Sequence, residues 1–229
     1  MKNMKHAITR KALVLFSLCL LPSLTNAQTF QGTIDYKIEM MNPNPEIISD
    51  SLWQASLKES LGERGYIIQK YFYSGENYAS EISAGKENGF QVFNPKDKLI
   101  YSWQADSDTA TTLDSRKSFD SFIEMAENED TEDIMGIQCK SITIKTKFGT
   151  TQIWYNNDYL KVDPKSYQGH IYGQYSYITE RIKCHPLKTE MTGIGGHIIS
   201  TVIDFEAVEI DSEKFKIPDF KFTIPNPIN

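Results

Sequence analysis

The stretch Thr33-Ile34-Asp35-Tyr36-Lys37-Ile38-Glu39-Met40 alternates without interruption between polar and apolar side chains. All four even-numbered positions are apolar, and three of the four odd-numbered positions carry a charge. Successive side chains of a strand point to opposite faces of the sheet, so a period of two indicates a strand with one face buried and one face in water. The stretch therefore predicts a half-buried antiparallel strand.

Outward from this strand, turn sequences predict three hairpins. The turns are Ser74-Gly75-Glu76, Asn94-Pro95-Lys96-Asp97 and Phe148-Gly149. Their residue types favour tight reversals of the chain. The strands expected beside them are 66–73 with 77–82, 89–93 with 98–103, and 137–147 with 150–155, followed by a last long strand at 197–210.

The alternation slips inside 137–148. Ile137 and Cys139 share one face, whereas Ile142 and Ile144 lie on the other. Two structures would produce this pattern: a β-bulge, or a strand that is partly covered on both faces.

Two segments are predicted to be helices. Ser49 or Asp50 can cap the first, which ends at Gly62. Asp114 or Ser115 can cap the second, which runs from Lys117 to Glu127. The apolar residues at helical spacing are Leu52, Trp53, Leu57 and Leu61 in the first segment, and Phe119, Phe122, Ile123 and Ala126 in the second.

These elements predict an α+β fold with a single large antiparallel sheet, covered by the two short helices. The sequence has no repeat, no Gly/Ser-rich or Pro-rich linker and no second composition regime. Residues 28–229 are therefore predicted to form one domain.

Residues 1–27 have the three parts of a secretory signal peptide. A basic n-region precedes the ten-residue apolar run 12–21, and Thr25-Asn26-Ala27 provides small residues for cleavage between Ala27 and Gln28. The run is too short to span a bilayer as a permanent helix, which needs about 20 residues. Cys19 lies inside the run after Leu18, a poor setting for lipidation. We predict an exported, periplasmic or secreted protein without a transmembrane span.

Charge excludes several partners. The full chain carries 24 basic and 30 acidic residues, and four of the basic ones precede residue 28. The mature chain then has a net charge of −10, with 20 basic and 30 acidic residues. Broad binding of nucleic acid or anionic lipid headgroups needs positive potential, so neither is predicted.

Export also determines the redox environment of the two remaining cysteines, Cys139 and Cys184. An oxidising compartment favours a disulfide between them. The alternative is two unpaired, buried cysteines that pack as small apolar residues.

The sequence contains no catalytic or metal-binding motif. It has no GxSxG elbow, P-loop or GxGxxG, and none of His170, His185 and His197 has a metal-ligand spacing to another ligand. Adjacent strand residues point apart, so Cys184 and His185 are not predicted to share a proton. The stretch 193–196 predicts a turn, and the acidic residues of 124–133 predict a solvated loop. We predict no enzyme, no metal and no cofactor.

Aromatic residues are concentrated between Trp154 and Tyr177. Seven of them fall within 24 residues that also contain Asn, Asp, Pro and Gly, so the segment is not a simple strand. Such rings suit a lid or rim for an apolar or sugar ligand. The alternative is that they close one end of the sheet as ordinary core.

Several short motifs resemble a known family. They are Phe30-Gln31-Gly32-Thr33-Ile34-Asp35-Tyr36, Ile134-Met135-Gly136-Ile137-Gln138-Cys139-Lys140, Gln152-Ile153-Trp154-Tyr155-Asn156-Asn157-Asp158, Pro186-Leu187-Lys188-Thr189-Glu190-Met191 and Phe215-Lys216-Ile217-Pro218-Asp219-Phe220. With the export signal, they resemble small exported proteins of Bacteroidetes-type bacteria that are similar to the lipoprotein-carrier (LolA/LolB-like) superfamily, and more distantly the GLPGLI-type family. The Gly-Leu-Pro-Gly-Leu-Ile hexapeptide itself is absent after Asp158.

The resemblance implies that the antiparallel sheet is a strongly curved, incomplete β-barrel whose hollow is covered by two or three short helices. In carriers of this superfamily the hollow holds acyl chains. Such a hollow would bind an apolar ligand by burying methylene groups, without chemistry. The residues predicted to line it are Trp53, Leu57, Trp103, Phe119, Phe122, Ile144, Trp154 and Tyr155. The alternative function is a structural or protein-interaction module of the cell envelope, with a solid core and no ligand.

Overall fold

The computed structural model describes residues 29–85 and 87–227, and strands are the main secondary structure in them. The predicted signal peptide and its cleavage site between Ala27 and Gln28 lie outside the described residues. The strands are β1 (Gly32–Met40), β2 (Ile67–Ser74), β3 (Asn77–Ala84), β4 (Glu87–Asn94), β5 (Leu99–Gln104), β6 (Thr109–Asp114), β7 (Phe122–Ile134), β8 (Ile137–Thr146), β9 (Gly149–Tyr155), β10 (Lys188–Gly193), β11 (Gly196–Ala207) and β12 (Phe222–Pro225).

These strands form one open curved sheet in the order β12-β6-β5-β4-β3-β2-β1-β11-β10-β9-β8-β7. The predicted α+β class and the three predicted hairpins are confirmed. The prediction of a purely antiparallel sheet is wrong at one place, because β12 pairs with β6 in parallel. Residues 208–221, here called the C-terminal strap, cross the sheet first, and Ile210, Phe215 and Ile217 of the strap pack on it. The chain therefore enters β12 in the same direction as β6.

The first predicted helix is confirmed as α1 (Asp50–Leu61). The Ser49 side chain accepts a hydrogen bond from the backbone N–H of Leu52, which satisfies one of the free donors at a helix start. Gly62 ends the helix with a φ of 79°, a value that favours glycine. Nε1 of Trp53 donates to the carbonyl oxygen of Met40 at 2.9 Å and so attaches α1 to the end of β1.

The second predicted helix is wrong. β6 ends at Asp114, and the chain then turns and enters edge strand β7 at Phe122. Pairing of β7 with β8 shifts register between Phe122 and Glu124 and again between Glu127 and Thr131. These bulges insert extra residues, so they break the alternation of apolar residues and leave a spacing that resembles a helix.

The aromatic segment contains a second helix that the sequence did not predict. Two 3₁₀ turns, Pro164–Tyr167 and Tyr172–Gln174, precede α2 (Tyr175–Ile182). Ile178 and Ile182 of α2 pack against buried isoleucines of β8 and β9. Gly173 and Gln174 have φ values of 63° and 62°, and no side chain caps the helix start. A helix of only eight residues that has no capping residue at its start cannot be recognised from the spacing of its apolar residues.

Both faces of the sheet are covered in places. Strand alternation and register place Tyr73, Tyr78 and Phe93 on one face, here called the inner face. Phe72 and Val92 lie on the other, outer face, beneath the strap. In β8, Cys139 and Ile142 point to opposite faces and both are buried, while β8 pairs with β9 without a shift. The two alternatives predicted for this strand were a β-bulge and partial coverage of both faces, and β8 shows coverage of both faces.

Candidate functional site

The residues predicted to line one apolar hollow lie in separate parts of the molecule. Trp53 and Leu57 are on α1, Phe119 is in the loop before β7, and Trp103 is on the outer face, 5.3 Å from the Phe220 ring. Three of the predicted residues meet under α2, and these are Phe122, Ile144 and Tyr155. Trp154 points to the opposite face of β9 from Tyr155, and Nζ of Lys188 lies 4.4 Å from its ring centre.

Aromatic rings fill the space where the resemblance placed the hollow. This aromatic core combines rings of the inner face with rings of segment 156–187. The Phe93 ring lies 5.1 Å from Tyr78 and 5.0 Å from His170, and the Tyr73 ring lies 3.9 Å from His185. The remaining members are Tyr167 and Tyr175. These two tyrosines therefore form ordinary core, the second of the alternatives for the aromatic segment.

Burial keeps the polar groups of the aromatic core uncharged. It lowers the pKa of His185 to about 3, and burial together with the charge of Lys98 lowers the pKa of His170 to about 4. Burial also raises the pKa of Tyr73 and Tyr175 well above its usual value. The Tyr175 hydroxyl lies 3.1 Å from Nδ1 of His185, so this buried imidazole has a polar partner. These groups make neutral internal contacts and present no charged acid or base to solvent.

Cys139 and Cys184 are free thiols, and both are buried. Burial, followed by the carboxylates of Glu132 and Asp133, raises the pKa of Cys139 to about 11. Burial, followed by the neighbouring Cys139 thiol, raises the pKa of Cys184 to about 12. A thiol reacts as its thiolate, so neither side chain is activated as a nucleophile.

The predicted acidic loop is instead part of strand β7, which is a correction to the sequence analysis. Its carboxylates face basic side chains from neighbouring elements. Glu127 pairs with Arg181 at 2.6 Å and Glu132 with Lys188 at 2.8 Å. Among the described residues, no group of three or more His, Cys, Asp or Glu side chains is placed to hold a metal ion.

An open groove of about 480 Å³ lies at one end of the inner face. Thr151 stands opposite both Met191 of β10 and Ile144 of β8 in the sheet, so these residues share the face that α2 covers further along. The groove is the uncovered continuation of that face. We call this groove the rim groove. Its apolar lining residues are Phe119, Phe148, Tyr172, Met191 and Ile194.

Local hydrogen bonds fix the walls of the rim groove. The Asp120 carboxylate accepts from Oγ1 of Thr146 at 2.7 Å and from the backbone N–H of Phe148 at 3.0 Å. Nε2 of Gln174 donates to the carbonyl oxygen of Asp120 at 2.7 Å. These bonds join the loop before β7, the β8–β9 turn and the 3₁₀ turn before α2. The groove is therefore largely formed without a ligand.

The glycines of the β9 and β10 ends allow two strands to meet closely. Gly149 stands opposite Gly193, and a Cβ on either would lie 2.3 Å from a carbonyl oxygen of the other strand. Gly193 and Gly196 close the β10–β11 hairpin, so the glycine-rich stretch is a turn, as predicted. Sequence reasoning named Phe119 and included Tyr172 in the aromatic segment that it offered as a rim, but it missed Phe148, Met191 and Ile194, whose one signal was their position near these glycines.

A larger depression of about 670 Å³ lies beside Phe30, Asp158, Lys161 and Glu209. Its lining includes charges of both signs, and more of its exposed surface is polar than apolar. We take the rim groove as the candidate site because its lining is mainly apolar, which is typical of small-molecule sites.

No known family model and no curated protein matches the sequence. Two crystal forms of PNGF-II have TM-scores of 0.46 and 0.45, at 13% and 14% identity over 86% of this chain. The chain spans about a third of PNGF-II, 32% and 31% respectively. An uncharacterized conserved protein from Thermus thermophilus has a TM-score of 0.46 at 7% identity, over 86% of this chain and 91% of that chain. These values carry no argument about function.

The described residues also contain no helix long and apolar enough to cross a membrane.

Proposed function

We propose that the chain is an exported, non-catalytic binding protein of the cell envelope that holds a lipid-like or other apolar group in the rim groove. The observation that carries the proposal is the groove itself, an apolar concavity that hydrogen bonds among its own walls hold open. Its volume of about 480 Å³ is within the usual range of small-molecule sites, about 300–1,000 Å³.

The rim groove is a different place from the hollow between helices and sheet that the resemblance implied. In a LolA-like half-barrel the ligand would lie between the helices and the sheet. Here Phe93 and Tyr78 occupy that space together with rings from segment 156–187. A bound chain would instead contact the Phe119 and Phe148 rings, whose centres are 5.6 Å apart. Each buried methylene would contribute about 0.8 kcal/mol.

The export signal and the motif resemblance support a periplasmic or secreted location and a LolA-like open barrel. The high pKa of the buried thiols and the low pKa of the buried imidazoles support a role without catalysis, since neither group is poised for proton transfer near neutral pH.

Ligand binding can be tested on purified mature protein after delipidation. We expect a dansyl-labelled undecanoic acid to bind, and native mass spectrometry of the protein from cell extract to show an apolar adduct. Ile194→Asp places a charge in the groove and should weaken binding about tenfold or more. Ile47→Asp is the matched control, because Ile47 is 80% exposed and Ile194 is 77% exposed, yet Ile47 lies outside the groove.

The second candidate is a structural or protein-interaction module without a small ligand. The filled aromatic core favours it, since a solid interior needs no ligand for stability. Absence of any adduct, together with absence of probe binding, would support this candidate and overturn the carrier proposal.

A further inference from the structure

A second part of the inner face carries polar side chains in a continuous line. Cross-strand pairing places Tyr71 opposite Ser80, Ser80 opposite Gln91, Gln91 opposite Ser102, and Ser102 opposite Thr111. The last four residues, here called the polar row, span β3 to β6. Directly opposed residues share a face, so all four side chains project from the inner face.

Hydrogen bonds within this area arrange its donors and acceptors. Nε2 of Gln69 donates to Oγ of Ser80 at 3.0 Å, and Nε2 of Gln91 donates to Oγ of Ser102 at 3.1 Å. Because the Ser102 oxygen accepts one bond, its hydroxyl hydrogen remains able to donate to a ligand, whereas the Ser80 side chain is buried and serves only to hold Gln69. The side-chain carbonyl of Gln91 receives no hydrogen bond from a described residue, so it remains able to accept. The polar row thus offers both donors and acceptors to a ligand.

A depression of about 440 Å³ lies over three residues of the polar row, Gln91, Ser102 and Thr111. Gly89 contributes to its depth, because it stands between Ile82 and Gln104 and has no side chain. A Cβ added at Gly89 would have its nearest neighbour at 3.7 Å, an ordinary contact. The residues around the depression are uncharged, and they are Ile82, Gly89, Phe90, Gln91, Ser102, Trp103, Gln104, Ser107, Thr109 and Thr111.

The edge of the depression is apolar. Phe222 and Ile224 of β12 pair with Thr109 and Thr111, which line the depression. Both side chains are exposed, Phe222 by 59% and Ile224 by 52%. An exposed aromatic ring beside neutral hydrogen-bonding groups suits a ligand with an apolar C–H face and a rim of hydroxyl groups.

We propose that the polar row and its β12 edge form a binding site for a neutral saccharide. The sugar hydroxyl groups would accept from Ser102 and donate to the side-chain carbonyl of Gln91, and one sugar ring would lie on Phe222. The uncharged lining gives no charged partner for a phosphate, a carboxylate or a cation, and its polar row would leave hydrogen-bonding groups unpaired against an acyl chain. This site is separate from the rim groove, so it does not depend on the proposed function.

The test is calorimetric titration with four neutral hexasaccharides: cello-, malto-, xylo- and mannohexaose. We expect at least one to bind with a Kd below about 10 mM. Binding should be unchanged when sodium chloride is raised to about 0.5 M, because uncharged contacts are not screened. Gly89→Leu fills the depression and should abolish binding, and Gln91→Leu should weaken it about tenfold.

Phe222→Ser provides a variant that cannot disturb the core, because Phe222 is exposed, and it should also weaken binding about tenfold. Thr223→Leu is its control, since Thr223 is exposed on the same strand but points to the opposite face. Ile194→Asp should leave saccharide binding unchanged. Failure of all four saccharides to bind would overturn the proposal. So would binding that Phe222→Ser does not alter.

Discussion

Strands β2 to β5 carry two different surfaces on the same face, only two residues apart along each strand. One row is Tyr73, Tyr78, Phe93 and Ile100, and it is buried. The next row is Tyr71, Ser80, Gln91 and Ser102, and three of its four side chains remain partly exposed. The chemistry changes where segment 156–187 stops covering the sheet. On one face of the same strand, one side chain is therefore buried in the core and the next side chain along that face borders on solvent.

The outer face shows why the buried row is rigid. Phe72, Ala79 and Val92 lie behind it and are covered by the C-terminal strap. The same strands are thus packed on both faces near the aromatic core. We call the row of Tyr73, Tyr78, Phe93 and Ile100 the covered row, and the row of Tyr71, Ser80, Gln91 and Ser102 the open row. We expect substitutions to lower the free energy of unfolding strongly in the covered row and slightly in the open row.

Phe93→Ala is the strongest way to test this difference. The Phe93 side chain is 1% exposed and contacts the Tyr78 and His170 rings, so its removal leaves a cavity that rigid neighbours cannot fill. We expect a loss of about 3–5 kcal/mol in the free energy of unfolding, measured by urea denaturation. A loss below about 1 kcal/mol would show that the aromatic core is loosely packed.

Acid should destabilise the covered region specifically. His170 and His185 have pKa values of about 4 and about 3 in the folded protein, below the ordinary value of 6.5. Their stabilising contribution is present above pH 6.5, and it is lost as the pH falls from there toward the folded values, because the unfolded chain binds protons first. Each histidine should lower the free energy of unfolding by about 1.4 kcal/mol per pH unit in that window.

The measurement is urea unfolding at several pH values between about 6.5 and 4.5. Acidic groups also titrate in this range, so the informative quantity is the difference between the protein and His185→Gln. The variant should show a shallower decline with falling pH. Equal slopes would mean that His185 has the same pKa in the folded and the unfolded chain and that its ring is accessible to water.

Local signals in the sequence predicted the parts of the fold that depend on neighbouring residues. The alternation of 33–40 predicted β1, and the cap at Ser49 with Gly62 predicted α1. β7 was assigned to a helix because its two bulges break the alternation. α2 has no side-chain cap at its start, and β12 has only four residues and pairs with a strand more than 100 residues earlier. Tertiary contacts decide such elements, so periodicity does not reveal them.

The candidate site was harder to predict than the fold. Phe119, Phe148, Tyr172 and Ile194 come from four segments that meet only in the folded chain. Trp154 and Ile144 were sensible choices as apolar residues, but both are buried in packed clusters. Hydrophobicity predicts burial, whereas an exposed apolar site depends on which face another segment leaves uncovered.

Substitutions in the open row should have the smallest effect on the free energy of unfolding. Gln91 donates to Ser102 at 3.1 Å, and both side chains are partly exposed, so water can replace the lost bond. We expect Gln91→Ala and Ser102→Ala each to lower the free energy of unfolding by less than about 1 kcal/mol. A double-mutant cycle should give a coupling of about 0.5 kcal/mol. Coupling above about 1.5 kcal/mol would mean that the bond is shielded from water and that the polar row is part of the core, which would also remove the available groups on which saccharide binding depends.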